Sequence, residues 1–200
     1  ADSARAPRGP ALVDSARGGE GRRIRPPMTV DGQSTAEAPR PVLRLCLLLA
    51  AVVLVLDQTT KEWALRELGD GREVPVVWTL QWNLSFNQGM AFSAGQGLGP
   101  VIGVLATCIA LAVVWWTRRL ESRLAGVGAG LVVGGALGNV VDRIMRDEGW
   151  MRGAVVDFID FQWFPIFNVA DMAVNVGGAL LLLWIYRSGR RETSDERSER

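Results

Sequence analysis

Four groups of polar residues interrupt an otherwise apolar chain, and their aspartates carry the most chemical potential. Asp157 lies in a short segment between apolar runs, and Asp171 stands inside an apolar run with no basic neighbour in sequence. Two carboxyl groups a few ångströms apart cannot both ionise, so they share one proton. Such a pair can activate water with its ionised member and protonate a leaving amine with the other. The spacing permits Asp157 and Asp171 to meet but does not require it.

Two other polar groups have helical spacing. Asp57 and Lys61 are four residues apart and share one helix face, which predicts either a functional pair or a helix-end salt bridge with a snorkelling lysine. Asn139, Asp142 and Arg143 also fall on one face, although an Arg–Asp pair is a common structural device. A charge at membrane depth costs about 2.5–3.5 kcal/mol, so these residues are functional candidates.

Amide side chains accompany the aspartates. Asn168 and Asn175 lie three residues before and four residues after Asp171, on the same helix face. Asn87 and Gly89 form part of a segment that, taken alone, indicates a turn at the end of a hairpin.

The composition excludes several kinds of site. The chain has no histidine, which removes Ser-His-Asp and Cys-His nucleophiles and His-based metal sites. Cys46 and Cys108 lie in apolar runs and are typical of small packing residues. A net charge of +1 argues against nucleic-acid binding driven by bulk charge. We therefore expect no metal, no cofactor and no nucleic-acid partner.

The charges are unevenly distributed. They crowd into residues 1–40 and 187–200, whereas residues 74–117 and 124–141 contain none. A helix needs about 20 apolar residues to cross a bilayer. The sequence therefore predicts a mainly α membrane protein with four transmembrane helices, at residues 41–65, 98–117, 124–141 and 166–186.

The segments between these helices predict a small sheet. Apolar and polar residues alternate through residues 74–92 and again through residues 155–162, which is the period of a strand. Tryptophans in the same segments are typical of a membrane interface. The third helix carries glycines at every fourth position, Gly126, Gly130, Gly134 and Gly138, which predicts close approach of a neighbouring helix.

The basic residues predict the orientation. If both tails and the loop at residues 118–123 are cytoplasmic, that side holds sixteen Lys and Arg against six on the other. Three regions follow: a disordered cytoplasmic extension at residues 1–40, a membrane domain at 41–186 and a disordered cytoplasmic tail at 187–200.

Five sequence blocks, in chain order, resemble lipoprotein signal peptidase, also called prolipoprotein signal peptidase or signal peptidase II. They are Asp57-Gln-x-x-Lys61, Asn87-x-Gly89-x-Ala91-Phe92, Gly138-Asn139-x-x-Asp142-Arg143, Val155-x-Asp157-Phe158 and Phe167-Asn168-x-Ala170-Asp171. Each block alone is weak, but five in order at the outer ends of four spans are highly specific. The resemblance covers about residues 42–186.

The resemblance implies an intramembrane aspartic endopeptidase of the bacterial plasma membrane. It would remove signal peptides from prolipoproteins by cutting before a diacylglyceryl-modified cysteine, near the extracytoplasmic face and beside an extracytoplasmic β-cradle. Asp157 and Asp171 would be catalytic. The remaining residues would bind substrate or support the site: Asp57, Lys61, Asn87, Gly89, Asn139, Asp142, Arg143 and Asn168. Besides these substrates, membrane lipids are the expected partners.

Two other functions fit parts of the sequence. A small proton-coupled transporter would use Asp57, Asp142 and Asp171 as relay groups, and it expects carboxylates near the membrane midplane. A non-catalytic scaffold built on the glycine ladder predicts that Asp157→Asn is harmless.

Overall fold

The structure, a computed structural model, describes residues 41–89, 98–147 and 149–198. The four long helices are α1 (Pro41–Glu67), α2 (Gly99–Thr117), α3 (Arg123–Met145) and α4 (Val169–Ser198). The three strands are β1 (Val74–Val77), β2 (Leu80–Asn87) and β3 (Val155–Asp160). This confirms the predicted mainly helical architecture with a small sheet. The predicted extension at 1–40 and the motif residues Ala91 and Phe92 lie outside the described residues.

All four helices are long and apolar enough to cross a membrane, with mean hydropathies between 1.6 and 2.1. Their outward faces carry large apolar side chains that the fold leaves uncovered; Leu48 and Leu111, for example, are 64% and 65% exposed. A surface of this kind is stable in lipid, where a helix satisfies its own backbone hydrogen bonds. The chain is a multi-pass membrane protein.

Helix α4 continues well past the predicted end of its span at Tyr186. The helix reaches Ser198, whereas the sequence predicts a disordered tail from residue 187. The apolar part ends at Arg190, and the last turns are rich in Arg and Glu. Both residue types have good helix propensity, and extending an existing helix costs far less than starting one.

Helix α3 lies at the centre of the bundle and contacts the other three helices. Its glycine ladder faces α1: added Cβ atoms at Gly130 and Gly134 would lie 2.8 Å from the carbonyl oxygens of Cys46 and Ala50. A second glycine face, at Gly135, contacts the Ala170 carbonyl of α4. Backbones therefore approach at distances that only glycine permits, as the ladder predicts.

The sheet is antiparallel, in the order β1-β2-β3. It packs against the end of α1 through an aromatic cluster, in which Trp63 lies 5.8 Å from Trp82 and 6.0 Å from Phe158 between ring centroids. Edge-to-face contacts of this kind stabilise a fold by about 0.5–1.5 kcal/mol beyond the contribution of the apolar area that they bury. The cluster fixes β3, and with it Asp157, beside the polar ends of α1 and α3.

We expect Gly135→Ala to lower the free energy of unfolding by about 1–3 kcal/mol, because the new methyl group would overlap the Ala170 carbonyl oxygen. Gly178→Ala on α4 is the matched control, since nothing lies within 4 Å of its added Cβ atom. Thermal unfolding of the purified chain in detergent checks this. Equal midpoints for the two variants would contradict the packing described.

Candidate active site

A buried ion cluster joins α1 to α3. The Lys61 ammonium lies 2.8 Å from Asp57 Oδ2 and 2.7 Å from Asp142 Oδ2, and all three side chains have no exposed surface. Lys61 also donates to Asn139 Oδ1 at 3.0 Å. The absence of a side chain at Gly138 lets the Asp57 carboxylate approach α3 this closely. A Cβ atom at that position would overlap the carboxylate.

Further donors form hydrogen bonds with these two carboxylates. Gln58 Nε2 donates to Asp57, to Asp142 and to the Gly138 carbonyl, at 3.1–3.2 Å. Arg146 lies 2.8 Å from Asp142 Oδ1, and the Val156 N–H donates to Asp142 Oδ2 at 3.2 Å. The last contact ties strand β3 to the ion cluster. Among the described residues, every buried side-chain polar atom has a hydrogen-bond partner.

Helix α4 begins in this cluster with a reciprocal cap. The Asp171 N–H donates to Asn168 Oδ1 at 2.9 Å, and the Asn168 N–H donates to Asp171 Oδ2 at 3.3 Å. Asp57 Oδ1 accepts from the Ala170 N–H at 2.9 Å. The first-turn N–H groups of a helix need such acceptors, and its positive N-terminal end favours carboxylates. The cap holds Asp171 in one position.

Neutral amides connect Asp157 with Asp171. Asn168 Nδ2 donates to Asp157 Oδ1 at 2.6 Å, and Asn139 Nδ2 donates to Asp171 Oδ1 at 2.8 Å. Asn168 Nδ2 also lies 3.2 Å from Asn139 Oδ1, which closes the connection. Asn87 Nδ2 donates to Asp157 Oδ2 at 3.2 Å. Asp157 is 2% exposed.

Gly89 orients the Asn87 amide. Its N–H donates to Asn87 Oδ1 at 3.0 Å, which directs the NH₂ group of Asn87 towards Asp157. The Gly89 carbonyl accepts from Arg143 Nη2 at 3.1 Å, and Arg143 Nη1 donates to the Asn139 carbonyl at 3.1 Å. Arg143 thereby joins the end of β2 to α3.

The pKa of Asp157 is raised from 3.8 to about 7, first because burial disfavours the charged carboxylate and second because Asp171 places a like charge nearby. The hydrogen bonds from Asn87 and Asn168 oppose this rise. A carboxyl group with a pKa near neutrality can both hold and release a proton at physiological pH, which is the requirement for acid–base chemistry.

A cavity of about 450 Å³ opens beside Asp171, between α2, α3 and α4. Its polar lining comes from site residues, including Asn87, Asn139 and Arg143, and its apolar lining includes Ile102, Ile109, Val132 and Val174. The cavity therefore offers an apolar volume that ends at the polar cluster. No group of three or more Cys, Asp and Glu residues suited to holding a metal occurs in the described parts of the chain.

The structure brings all ten predicted site residues into one connected network of hydrogen bonds and ion pairs. Asn175 lines the cavity and donates to the Asp171 carbonyl. The hydrogen-bond network also contains two side chains for which the sequence predicts no role, Gln58 and Arg146. The spacing contains the signal for Arg146, which is four residues after Asp142, and Gln58 belongs to the first sequence block.

Four membrane helices, a small sheet and two aspartates joined by amides define the class: an integral membrane protein with a carboxyl pair at one end of its helix bundle. The comparison with family models is specific, since the model of Signal peptidase (SPase) II, Peptidase_A8, matches residues 49–187. The chain belongs to the signal peptidase II family, which makes it a protease.

Relatives support this membership. The lipoprotein signal peptidase of Mycobacterium avium (strain 104) is 44% identical over 173 residues, which cover 82% of this chain and 94% of the relative. That of Mycobacterium tuberculosis (strain ATCC 25618 / H37Rv) is 44% identical over 153 residues, 76% of this chain and 75% of the relative. A solved bacterial membrane enzyme superposes with a TM-score of 0.63 at 28% identity, over 72% of this chain and 88% of that one.

We expect the thermal stability of Asp157→Asn, relative to the wild type, to rise between about pH 4 and pH 7 and then level off. The raised pKa means that folded Asp157 binds its proton more tightly than the unfolded chain does, so the wild type loses stability as pH rises through this window. An asparagine does not ionise. Melting curves in detergent at each pH measure the difference, with Gly178→Ala as a non-titrating control. A pH-independent difference would contradict the assignment.

Proposed function

We propose that the chain is an aspartic endopeptidase that removes signal peptides from bacterial prolipoproteins, cutting before a diacylglyceryl-modified cysteine. Asp157 and Asp171 form its catalytic pair. The observation that carries the proposal is their shared setting: both contact neutral amides of one network, and the pKa of Asp157 is about 7. Family membership supplies the substrate class.

The reaction needs one proton on the pair. The ionised aspartate takes a proton from water, and the resulting hydroxide adds to the scissile carbonyl carbon while the protonated aspartate donates a hydrogen bond to the carbonyl oxygen. The tetrahedral intermediate then collapses, the C–N bond breaks, and the amine leaves with a proton from the pair.

The other site residues keep this pair in position. Asn168 contacts both aspartates, Asn139 holds Asp171, and the Asp57–Lys61–Asp142 cluster anchors the start of α4 and strand β3. Arg143 and Asn87 line the cavity beside Asp171, where they can also donate to substrate carbonyls.

The cavity suits a substrate that is partly lipid. Apolar side chains of the membrane helices form most of its wall, and the polar network lies at one end. A diacylglyceryl chain in the bilayer would bring the adjacent peptide bond to the pair, and its binding energy would orient that bond. The excess of Lys and Arg at the tails and the 118–123 loop supports cytoplasmic termini and a site near the extracytoplasmic face of the plasma membrane.

A proton-coupled transporter fits less well. It expects carboxylates spread near the membrane midplane, whereas Asp57, Asp142 and Asp171 meet at the end of the bundle that contacts the sheet.

We expect Asp157→Asn and Asp171→Asn each to reduce cleavage by roughly 10²- to 10⁴-fold, because each removes a proton-transfer group from the pair. A gel-shift assay on a diacylglyceryl-modified precursor measures this with the purified full chain. Glu62→Gln is the matched control, since it removes an exposed carboxylate of α1 that pairs only with Arg66 among its described ion-pair contacts. Near-wild-type cleavage by either aspartate variant would make that aspartate structural.

We also expect a precursor without the diacylglyceryl group to be cleaved with a kcat/KM more than about tenfold lower. The lipid contributes binding energy away from the scissile bond, at about 0.8 kcal/mol for each CH₂ group that is buried. The same assay with the two precursors at equal concentration provides the test. Equal rates would show that the lipid is not recognised.

A further inference from the structure

Strand β2 contains one extra residue opposite β3. Trp82 pairs with Ile159 before this point, and Ser85 pairs with Asp157 after it. Two residues of β2, Asn83 and Leu84, therefore occupy the place opposite the single residue between Asp157 and Ile159. This is the geometry of a β-bulge, a feature that often occurs beside active sites and redirects a side chain.

The bulge determines where Asn87 points. Asn87 pairs with Val155, and from that position its side chain reaches Asp157 two residues along the partner strand. A shift of one residue in a β-ladder turns every side chain to the opposite face. Without the extra residue, Asn87 would face away from Asp157, so the hydrogen bond between them depends on the bulge.

Asp160 holds the bulge. Its Oδ2 atom accepts from Gln81 Nε2 at 2.8 Å and from Asn83 Nδ2 at 3.0 Å. Gln81 lies just before the bulge and Asn83 lies within it. Asp160 is 6% exposed, so the hydrogen bonds form where water competes little.

The second oxygen of Asp160 holds the turn that leaves β3. Oδ1 accepts from the Gln162 N–H at 2.6 Å, and Gln162 has a φ of 65°, in the left-handed region that a non-glycine residue rarely adopts. This turn leads to Phe167, which pairs with Ile159 and directly precedes the Asn168 cap of α4. One carboxylate thus secures both the bulge in the strand next to Asp157 and the turn that follows β3.

We propose that Asp160 is a positioning residue for the catalytic pair, which acts on Asp157 through the β2 bulge and Asn87, and on Asn168 through the Gln162 turn. The inference rests on the proposed function for its consequence in catalysis. Its structural content, that Asp160 controls the Asn87–Asp157 hydrogen bond, can be measured without any activity.

Asp160 does not share the raised pKa of Asp157. Burial alone would raise its pKa, but the hydrogen bonds from Asn83, Gln81 and the Gln162 N–H outweigh burial and lower it. Asp160 stays ionised while Asp157, with its pKa of about 7, changes protonation. Loss of the Asp160 charge in Asp160→Asn would by itself lower the pKa of Asp157, so a rise in that pKa reports geometry.

The test measures the pKa of Asp157 by carboxyl ¹³C NMR titration of the full chain in detergent micelles. Asp160→Asn replaces one acceptor oxygen by an NH₂ group, which cannot accept a hydrogen bond from Gln81, Asn83 or the Gln162 N–H. Asn87→Ala removes the hydrogen bond to Asp157 directly. Asp70→Asn is the matched control, because Asp70 also accepts from an N–H two residues later, that of Arg72, but in a loop remote from the site.

The hydrogen bond from Asn87 favours ionised Asp157, so its loss raises the pKa. We expect Asn87→Ala and Asp160→Asn each to raise it by on the order of one unit, as expected for a lost hydrogen bond to a charged group. The double variant should shift no further than Asn87→Ala, and Asp70→Asn should match the wild type. Asn83→Ala, which keeps the carboxylate, should give a smaller shift in the same direction and serves if Asp160→Asn does not fold.

A wild-type pKa of Asp157 in Asp160→Asn and Asn83→Ala, or additive shifts in the double variant, would overturn the inference. The pH dependence of cleavage then tests its catalytic consequence: kcat/KM should fall about tenfold in Asp160→Asn, with its alkaline limb moved to higher pH. If the NMR shifts occur but Asp157→Asn still cleaves, the proposed function fails while the positioning role stands.

Discussion

Burying charge at one end of a membrane bundle is the constraint on which the rest of this structure depends. Removing an ion from water costs several kcal/mol, and the cost is recovered only when geometry and hydrogen bonding are nearly complete. Lys61 meets this requirement by lying within 2.8 Å of two carboxylates, with no exposed surface on any partner. The site contains four carboxylates and three cations, namely Asp57, Asp142, Asp157, Asp171, Lys61, Arg143 and Arg146.

Helix packing follows from the same constraint. The ion cluster requires α1 and α3 to be close, and the glycines of α3 allow that approach. The start of α4 enters the cluster because its free N–H groups need acceptors, which Asp57 and Asn168 supply. The catalytic candidate Asp171 is thus a member of a helix cap as well as a member of the pair. The hydrogen bonds of the cap therefore fix Asp171 relative to the backbone at the start of α4.

The sequence predicts much of this because the informative features are local. Uncharged runs reveal the spans, alternation reveals the strands, and i, i+3 spacing places Asn168 beside Asp171. The bulge in β2 is different, because it depends on which residue of β3 stands opposite, and Gln81 and Asp160 are 79 positions apart. The high charge after residue 186 predicts disorder, but the same composition is compatible with a solvent-facing helix, and α4 continues to Ser198.

The two pairs of carboxylates at this end of the bundle differ in the kind of partner that each contacts. Asp57 and Asp142 contact cations directly and serve as structural anchors. Asp157 and Asp171 receive side-chain hydrogen bonds from neutral amides. A cation in direct contact with Asp157 would favour its ionised form and lower its pKa. An amide fixes the geometry without supplying a full charge, so burial and mutual repulsion still raise the pKa of Asp157 to about 7. Hydrogen bonds connect Lys61 to Asp171 through Asn139, whose oxygen accepts from the ammonium and whose NH₂ group donates to Asp171. The charge of Lys61 also acts on Asp157, where it opposes the larger effects of burial and of Asp171 on the pKa.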